Sequence, residues 1–359
     1  MSILFMQAED VLLFRDGRPF NAGSDHEARS LFPPPPSVIQ GVLRSHYLVH
    51  KNIPLSDSVA IRQLVGDSAN PKGLRLRGPF LARRENGRVV CYFPTPADAY
   101  PVDEKAERVV PMKAAMNPGG CVWASATLPC LLQRPNNIIT KTAPGEYLSE
   151  QALLEYLKQG KEVTPIKATD LYVTERRLGI RTDLQRLSTV EGMLYEVEFI
   201  RLCKDVGLVV EILEGYPDFP PQGVMRAGGE GRALRYTTLK EEEFTPLSWG
   251  CTDELPRFFK VYFATPAYFS QGWKPASWQP FFTGEVKLEA VALSRYQVLG
   301  GYDLLNHRQK PARRFVPAGS VYYFSHAGGV RLFQQTITEE GAAMGFGQVM
   351  IASWKPEKK

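Results

Sequence analysis

Apolar residues fall into short alternating runs separated by proline- and glycine-rich loops, a pattern that predicts many strands and few helices. The first strand spans Ile3–Phe14, with a break near Glu9–Asp10. The run Pro33–Pro36 then makes a rigid extended lead-in, because proline can neither continue a strand nor sit inside a helix. Behind it Val38, Ile39, Val42, Leu43 and Tyr47 recur at helical spacing, with Ser37 as N-cap of a helix reaching His50. Leu74–Arg84 and Arg88–Phe93 alternate on either side of Glu85-Asn86-Gly87, an Asn-Gly hairpin signal. Pro94–Lys167 is irregular apart from a helix at Ser149–Lys158 stopped by Gly160, which marks a functional insertion. Leu194–Cys203 and Gly207–Leu213 predict a second hairpin across Lys204–Val206, and Gly223–Leu239 runs through Gly228-Gly229-Glu230-Gly231-Arg232 into a strand.

Composition shifts at Glu241–Pro256, where a domain boundary is expected. Beyond it the pattern predicts strands at Phe258–Ala264, Gly284–Val298 and Val321–Ser325, and a short helix near Leu332–Glu340. The glycine-rich loop Gly341–Gly347 then feeds a last strand, Gln348–Trp354. The simplest architecture is α+β, two βαββαβ units in tandem, over residues 1–245 with an insertion around 94–190 and residues 246–359. A chain of 359 residues is long enough for two domains.

Charge narrows the function. The net charge of +5, from 43 basic and 38 acidic residues, matters only through clustering. One cluster, Lys72, Arg75, Arg77, Arg83, Arg84 and Arg88, lies in a single hairpin, where Arg75 and Arg77 are expected on the same non-core face. A second comprises Arg176, Arg177, Arg181 and Arg186, and a third Arg308, Lys310, Arg313 and Arg314. Guanidinium groups on strands and loops suit backbone phosphates. Ser37, Gly41 and Arg44 share one side of the first helix, joining a helix start, a bare glycine surface and a cation. The glycines of 228–231 and 341–347 let backbone approach a ligand and aim N–H groups at an anion, although neither loop is a P-loop or a dinucleotide fingerprint.

No membrane-spanning run and no signal-peptide layout is visible. Cys91, Cys121, Cys130, Cys203 and Cys251 lack a C-x-x-C pair and read as reduced thiols of a cytoplasmic protein, not as a disulfide or zinc framework. His46 and His50 are one helical turn apart but lack a third metal ligand, and His26 is a candidate acid–base group in the loop Gly23–Arg29. Asp16 reads as an Arg-pairing turn residue. No Ser/His/Asp or paired-carboxylate pattern stands out, so no catalytic, metal or cofactor residues are assigned. Tyr262, Phe263, Tyr268, Phe269, Trp273 and Trp278 could stack on bases, but most are expected in the core.

Leu12–Arg18 with Arg15 and Arg18, Pro33–Ser37 and Gly41–Arg44 resemble the N-terminal signature of RAMP proteins, the repeat-associated subunits of CRISPR effector complexes. More closely they resemble the foot RAMP subunit of the type III-B (Cmr) complex. Glu175–Ile180, the Gly192–Tyr195 turn, Gly228–Arg232, Val316–Tyr322 and Gly345-Phe346-Gly347 follow in family order. The resemblance implies two tandem ferredoxin-like (RRM-like) domains without catalysis of their own. It also implies a subunit that holds the 5′ tag of the guide crRNA, docks on the large polymerase/cyclase-like subunit and borders the repeating backbone RAMP subunit. Joined to the charge and glycine pattern, this gives as expected RNA contacts Arg15, Arg18, Ser37, Gly41, Arg44, Arg176, Arg177, Arg181, Gly228, Gly229, Gly231, Arg232, Gly345 and Gly347. Related RAMP folds include metal-independent endoribonucleases with a histidine acid–base pair, for which His26 or His46 would have to serve. A scaffold that touches protein but hardly touches RNA is a third reading.

Overall fold

A computed structural model describes residues 2–15, 27–67, 72–116, 128–138, 145–183, 188–216, 218–245, 249, 254–303 and 305–356, with Glu27 and residues 181–183 and 188–193 described by their backbone alone. Arg18, Asp16, His26, Arg186, Cys121 and Cys251 therefore lie outside the described residues or side chains. The fold is α+β with few helices. Apart from the pair Ser188–Leu202 with Glu27–Ala28, every ladder among the named strands is antiparallel.

The larger sheet runs, edge to edge, Ile166–Lys167, Glu146–Ser149, Arg88–Pro94, Arg75–Glu85, Val206–Glu214, Ser2–Ala8, Ala233–Thr238 and Gln222–Arg226. Its central strand Val206–Glu214 is buried from Val206 to Ile212, which fits a strand covered on both faces. One face receives the helix Pro36–His50, whose Ile39, Val42, Leu43 and Tyr47 pack with Leu4, Met6, Leu208 and Val210. The other face, carrying Phe5, Phe80, Ala82 and Val209, receives the inserted helix Glu150–Gln159 through Leu153 and Tyr156. It also receives a second sheet, through Tyr262, Ala290, Val321, Tyr323 and Met350.

That second sheet runs Lys287–Ala292, Val321–Ser325, Phe258–Phe263 and Val349–Ser353. Its far side is closed by loop aromatics, Phe269, Phe281 and Phe282, packed on Phe259, Phe263 and Phe324, so most of the aromatics weighed for base stacking belong to the core. Read from the Val349–Ser353 edge, its strands stand fourth, first, third and second in chain order. The strands Ala233–Thr238, Ser2–Ala8, Val206–Glu214 and Arg75–Glu85 stand in the same order in the larger sheet.

Several local expectations hold: the Asn86-Gly87 hairpin forms with both residues at positive φ, and the inserted helix is capped by the Ser149 side chain and ended by left-handed Gly160. Others need correction. The first helix is entered through Pro35 with Pro36 at its first position and no side-chain cap, so Ser37 is not the N-cap; proline's fixed φ suits that position. Ser188–Leu202 does not pair with Val206–Glu214. It turns back on Tyr172–Asp183 in a separate ribbon, while Val206–Glu214 crosses into the larger sheet. Gly284–Val298 is two strands, Lys287–Ala292 and Gln297–Asp303, in different sheets, and the second forms a hairpin with Arg308–Val316. No helix forms near Leu332–Glu340, because Thr336 bridges Gln348 and the Ile337 amide donates to the Gly347 carbonyl, holding the β-branched run extended.

The sheet-to-sheet interface also contains charge. Arg77 does not share a solvent face with Arg75: its guanidinium pairs at 3.0 Å with fully buried Glu211 and reaches Gln335, whereas Arg75 pairs with Glu214 at the exposed surface. The second sheet covers this face, and Glu211 supplies the counter-charge.

Nearby, the Glu150 carboxyl is pushed up to about 7, first by burial and second by the Glu211 carboxylate. In the folded chain it keeps a proton that the unfolded chain releases near 4.5, so its contribution to stability falls as pH rises from about 4.5 to about 7 and then levels off. Glu150→Gln should lack that loss. The gap between variant and wild-type urea midpoints is expected to widen in the variant's favour from pH 5 to about 7.5; a gap independent of pH contradicts the assignment.

Candidate nucleic-acid interface

The helix Pro36–His50 buries one face and leaves another, through Ser37, Gln40, Gly41, Arg44 and Leu48, along a groove of about 270 Å³. The proline run dictates this start: Pro33–Pro36 have no backbone N–H, so Ser37 carries the first amide of the helix. A Cβ at Gly41 would meet no heavy atom within 4 Å, which leaves the helix backbone open to an approaching ligand. Arg44 is held above the end of the helix Ser58–Val65, its Nη2 donating to the Gly66 carbonyl at 2.6 Å and its Nη1 to the Asp67 carbonyl at 3.4 Å.

The opposite wall comes from the far end of the chain. Tyr302, Asp303, His307 and Lys310, on the hairpin Gln297–Asp303/Arg308–Val316, line the same groove. Asp303 organises the turn by accepting from the Leu305 and Asn306 amides and from Asn306 Nδ2. Burial pushes the Lys310 ammonium down, the Asp303 carboxylate opposes that shift, and the like charge of Arg44 adds to it. Two cations from opposite ends of the sequence thus converge on one groove, where an anion between them would relieve their repulsion.

The basic cluster of 308–314 is otherwise divided. Arg313 pairs with Glu340 and lies over Tyr268, and Arg314 stacks on Tyr296 at 4.7 Å. Tyr296 also borders a second cleft, of about 400 Å³, that Pro33–Pro36 line together with Tyr92 and Tyr147.

The other sequence-predicted residues are placed as follows. Arg15 is exposed and bridges Ser30. Arg176 and Arg177 stand on opposite faces of the ribbon Tyr172–Asp183/Ser188–Leu202: Arg176 is exposed and pairs with Glu196 and Glu198, whereas Arg177 pairs with Glu175 and, at 3.9 Å, with Asp10. Arg181 belongs to the same strand, but its side chain is outside the description. Arg177 and Arg232, distant in sequence, both stack on the Phe199 ring, at 5.0 and 4.7 Å, and Arg232 also pairs with Asp10 and Glu230. This second basic patch is substantially neutralised by its acids.

The glycine loops pack tightly. A Cβ on Gly228, at φ +75, would lie 2.2 Å from the Leu13 carbonyl, and one on Gly345, at φ +107, would lie 2.2 Å from the Gly78 carbonyl. The amides of Gly229, Gly345 and Gly347 are donated to the carbonyls of Leu13, Ala342 and Pro266, not aimed outward at an anion. Gly231, at φ +67, is the roomier turn residue. A Cβ on Gly345 would also touch Pro36, so the C-terminal loop buttresses the start of the groove helix.

Sequence reasoning missed Gln40, Tyr302 and His307 as groove residues. The signal available was the i, i+3, i+4 spacing of Ser37, Gln40 and Gly41, and the alternation of Arg308–Val316 behind a turn. Among the described residues no cluster of His, Cys, Asp or Glu could hold a metal ion, and no helix is long and apolar enough to cross a membrane. His46 shares a hydrogen bond with Tyr236 Oη at 2.9 Å, and burial, with His50 second, pushes its imidazole down.

The sequence model of a family described as CRISPR-associated protein (Cas_Cmr3) matches residues 4–354. No curated protein matches the sequence. Among solved structures, a chain from the Type III-B Cmr-beta bound to cognate target RNA and AMPPnP, state 1, superimposes with a TM-score of 0.50 at 15% identity, covering 89% of this chain and 86% of that one. A chain from Cmr-beta bound to cognate target RNA gives 0.47 at 16% identity over the same shares. At these identities what is shared is the fold.

Proposed function

The chain belongs to the CRISPR-associated Cas_Cmr3 family, and from that premise we propose that it is the non-catalytic subunit of a type III-B effector complex that holds the 5′ tag of the crRNA. In this reading it docks on the large polymerase/cyclase-like subunit, borders the repeating backbone RAMP subunit and works in the cytoplasm. The shared fourth–first–third–second strand order of its two sheets supports tandem ferredoxin-like domains, joined near residue 245, with the insertion carried between the second and third strands of the first.

The observation that carries the proposal is the convergence of Arg44 and Lys310 on the groove that Ser37 and Gly41 line. A single-stranded tag would lay its phosphates between those cations and against the open Gly41 backbone. Arg15, Arg18, Arg176, Arg177, Arg181 and Arg232 would extend the contact, and Gly228, Gly229, Gly231, Gly345 and Gly347 would shape the turns that bound it. An endoribonuclease reading through His46 finds less support, because that imidazole is tied to Tyr236.

Filter binding by the assembled complex tests the proposal. A guide lacking its tag should bind at least about tenfold more weakly than the tagged guide, the loss expected for one charge-assisted contact of about 1.5 kcal/mol or more. Equal affinities would contradict it.

A further inference from the structure

A third cleft, of about 300 Å³, opens where the insertion meets the loops of the second sheet. Its walls are apolar, with Pro96, Pro101 and Val109 from the insertion and Ala318 from the second sheet's side. The Ala97 amide donates to the Gly319 carbonyl at 2.8 Å, which fixes the two walls to each other. Three side chains of the lining carry oxygen acceptors: Thr95, Glu146 and Ser294. Thr95 and Glu146 stand side by side, the Thr95 amide donating to the Glu146 carbonyl at 3.0 Å next to the ladder pair Pro94 with Tyr147. The Thr95 hydroxyl is buried without a hydrogen-bond partner among the described residues. Among them the half-buried Glu146 carboxylate has no hydrogen bond or ion pair either. Burial pushes it up, and the charge of exposed Lys167 opposes that without pairing with it.

Such a cleft suits a cation. An unpaired carboxylate repels phosphate and so selects against the guide. Apolar walls accept an aliphatic stem whose charged head sits at a polar end. An ammonium carries three donors around one point, which matches acceptors arriving from three separate segments. A planar guanidinium is better matched to both oxygens of a single carboxylate. We propose that the cleft receives a lysine side chain of a neighbouring protein subunit, its ammonium held by Glu146, Thr95 and Ser294. The inference rests on the reading above that this chain is a subunit of an effector complex. It goes further by giving the insertion a docking role that involves no RNA.

Carbodiimide coupling of the assembled complex tests this, because it joins a carboxylate to an amine without a spacer and therefore only where the two touch. Mass spectrometry should find Glu146 linked to a lysine of another subunit. Links from Glu146 only to lysines of this chain, or none in a complex that contains this chain, overturn the inference and leave the subunit reading intact. A chain that does not copurify with the other subunits overturns that reading itself. Glu146→Gln and Thr95→Val should each weaken docking on a complex assembled without this chain by about tenfold, the loss expected for one hydrogen bond to a charged group. Neither group has a partner within the described chain, so the thermal midpoint of the isolated variants should not fall. Docking unchanged in both variants, or weakened only as far as the fold is weakened, overturns the inference. A free polyamine as occupant would appear as saturable spermidine binding by the isolated chain, abolished in Glu146→Gln, with no link to another subunit; that result also overturns the assignment to a partner's lysine.

Discussion

Asp98→Ala is expected to destabilise the chain by about 3–5 kcal/mol, the cost of removing one partner from a buried charged network. Asp98 is fully buried where the insertion meets the second sheet. Its carboxylate accepts from Tyr156 Oη at 2.9 Å and from Tyr323 Oη. Nearly buried Lys260 lies over the Tyr156 ring; burial pushes its ammonium down and the Asp98 charge opposes that. Alanine would leave two phenolic hydroxyls without their acceptor and an ammonium without its counter-charge. Asparagine keeps an acceptor but not the charge and should fall between. Urea unfolding of the three proteins measures this, and a loss below about 1 kcal/mol for alanine would mean that the network does not tie the insertion to the second sheet.

The second large effect concerns RNA. Arg44→Ala and Lys310→Ala together are expected to weaken guide binding by roughly tenfold per cation, the worth of a charge-assisted bond of about 1.5 kcal/mol. The slope of log affinity against log salt should become shallower by about two, one for each phosphate contact removed. Arg75→Ala is the control, since Arg75 is exposed and already paired with Glu214. Arg44 also holds the Gly66 and Asp67 carbonyls, so thermal unfolding of each variant separates loss of contact from loss of fold. An unchanged salt slope would show that no phosphate sits between these cations.

Much of the local structure was legible because it is encoded locally. Asn86-Gly87 specifies its turn, Ser149 and Gly160 specify the ends of their helix, and the spacing of Ile39, Leu43 and Tyr47 specifies which face is buried. What escaped depends on partners distant in the chain. Whether Arg77 faces solvent is decided by the second sheet and by Glu211, 134 residues away. Ser188–Leu202 alternates like a hairpin partner of Val206–Glu214, yet Tyr172–Asp183 takes its edge first. The Leu332–Glu340 segment has helical spacing, but a strand-like bridge at Thr336 overrides it.

The candidate site divides the same way. Ser37, Gly41 and Arg44 could be grouped from one helix face, whereas Lys310 could not be set opposite them without the fold. The glycines of both loops were legible as special positions. Their close contacts with Leu13 and Gly78, which the sequence does not reveal, make them packing residues first.

The central claim is that the groove between the proline-led helix and the Gln297–Val316 hairpin receives the guide's tag. A crRNA carrying 4-thiouridine at successive tag positions, irradiated in the assembled complex and mapped by mass spectrometry, measures it directly. The account predicts adducts on this chain within residues 37–48 or 302–310. Adducts confined to other subunits, or to parts of this chain away from both segments, would contradict it.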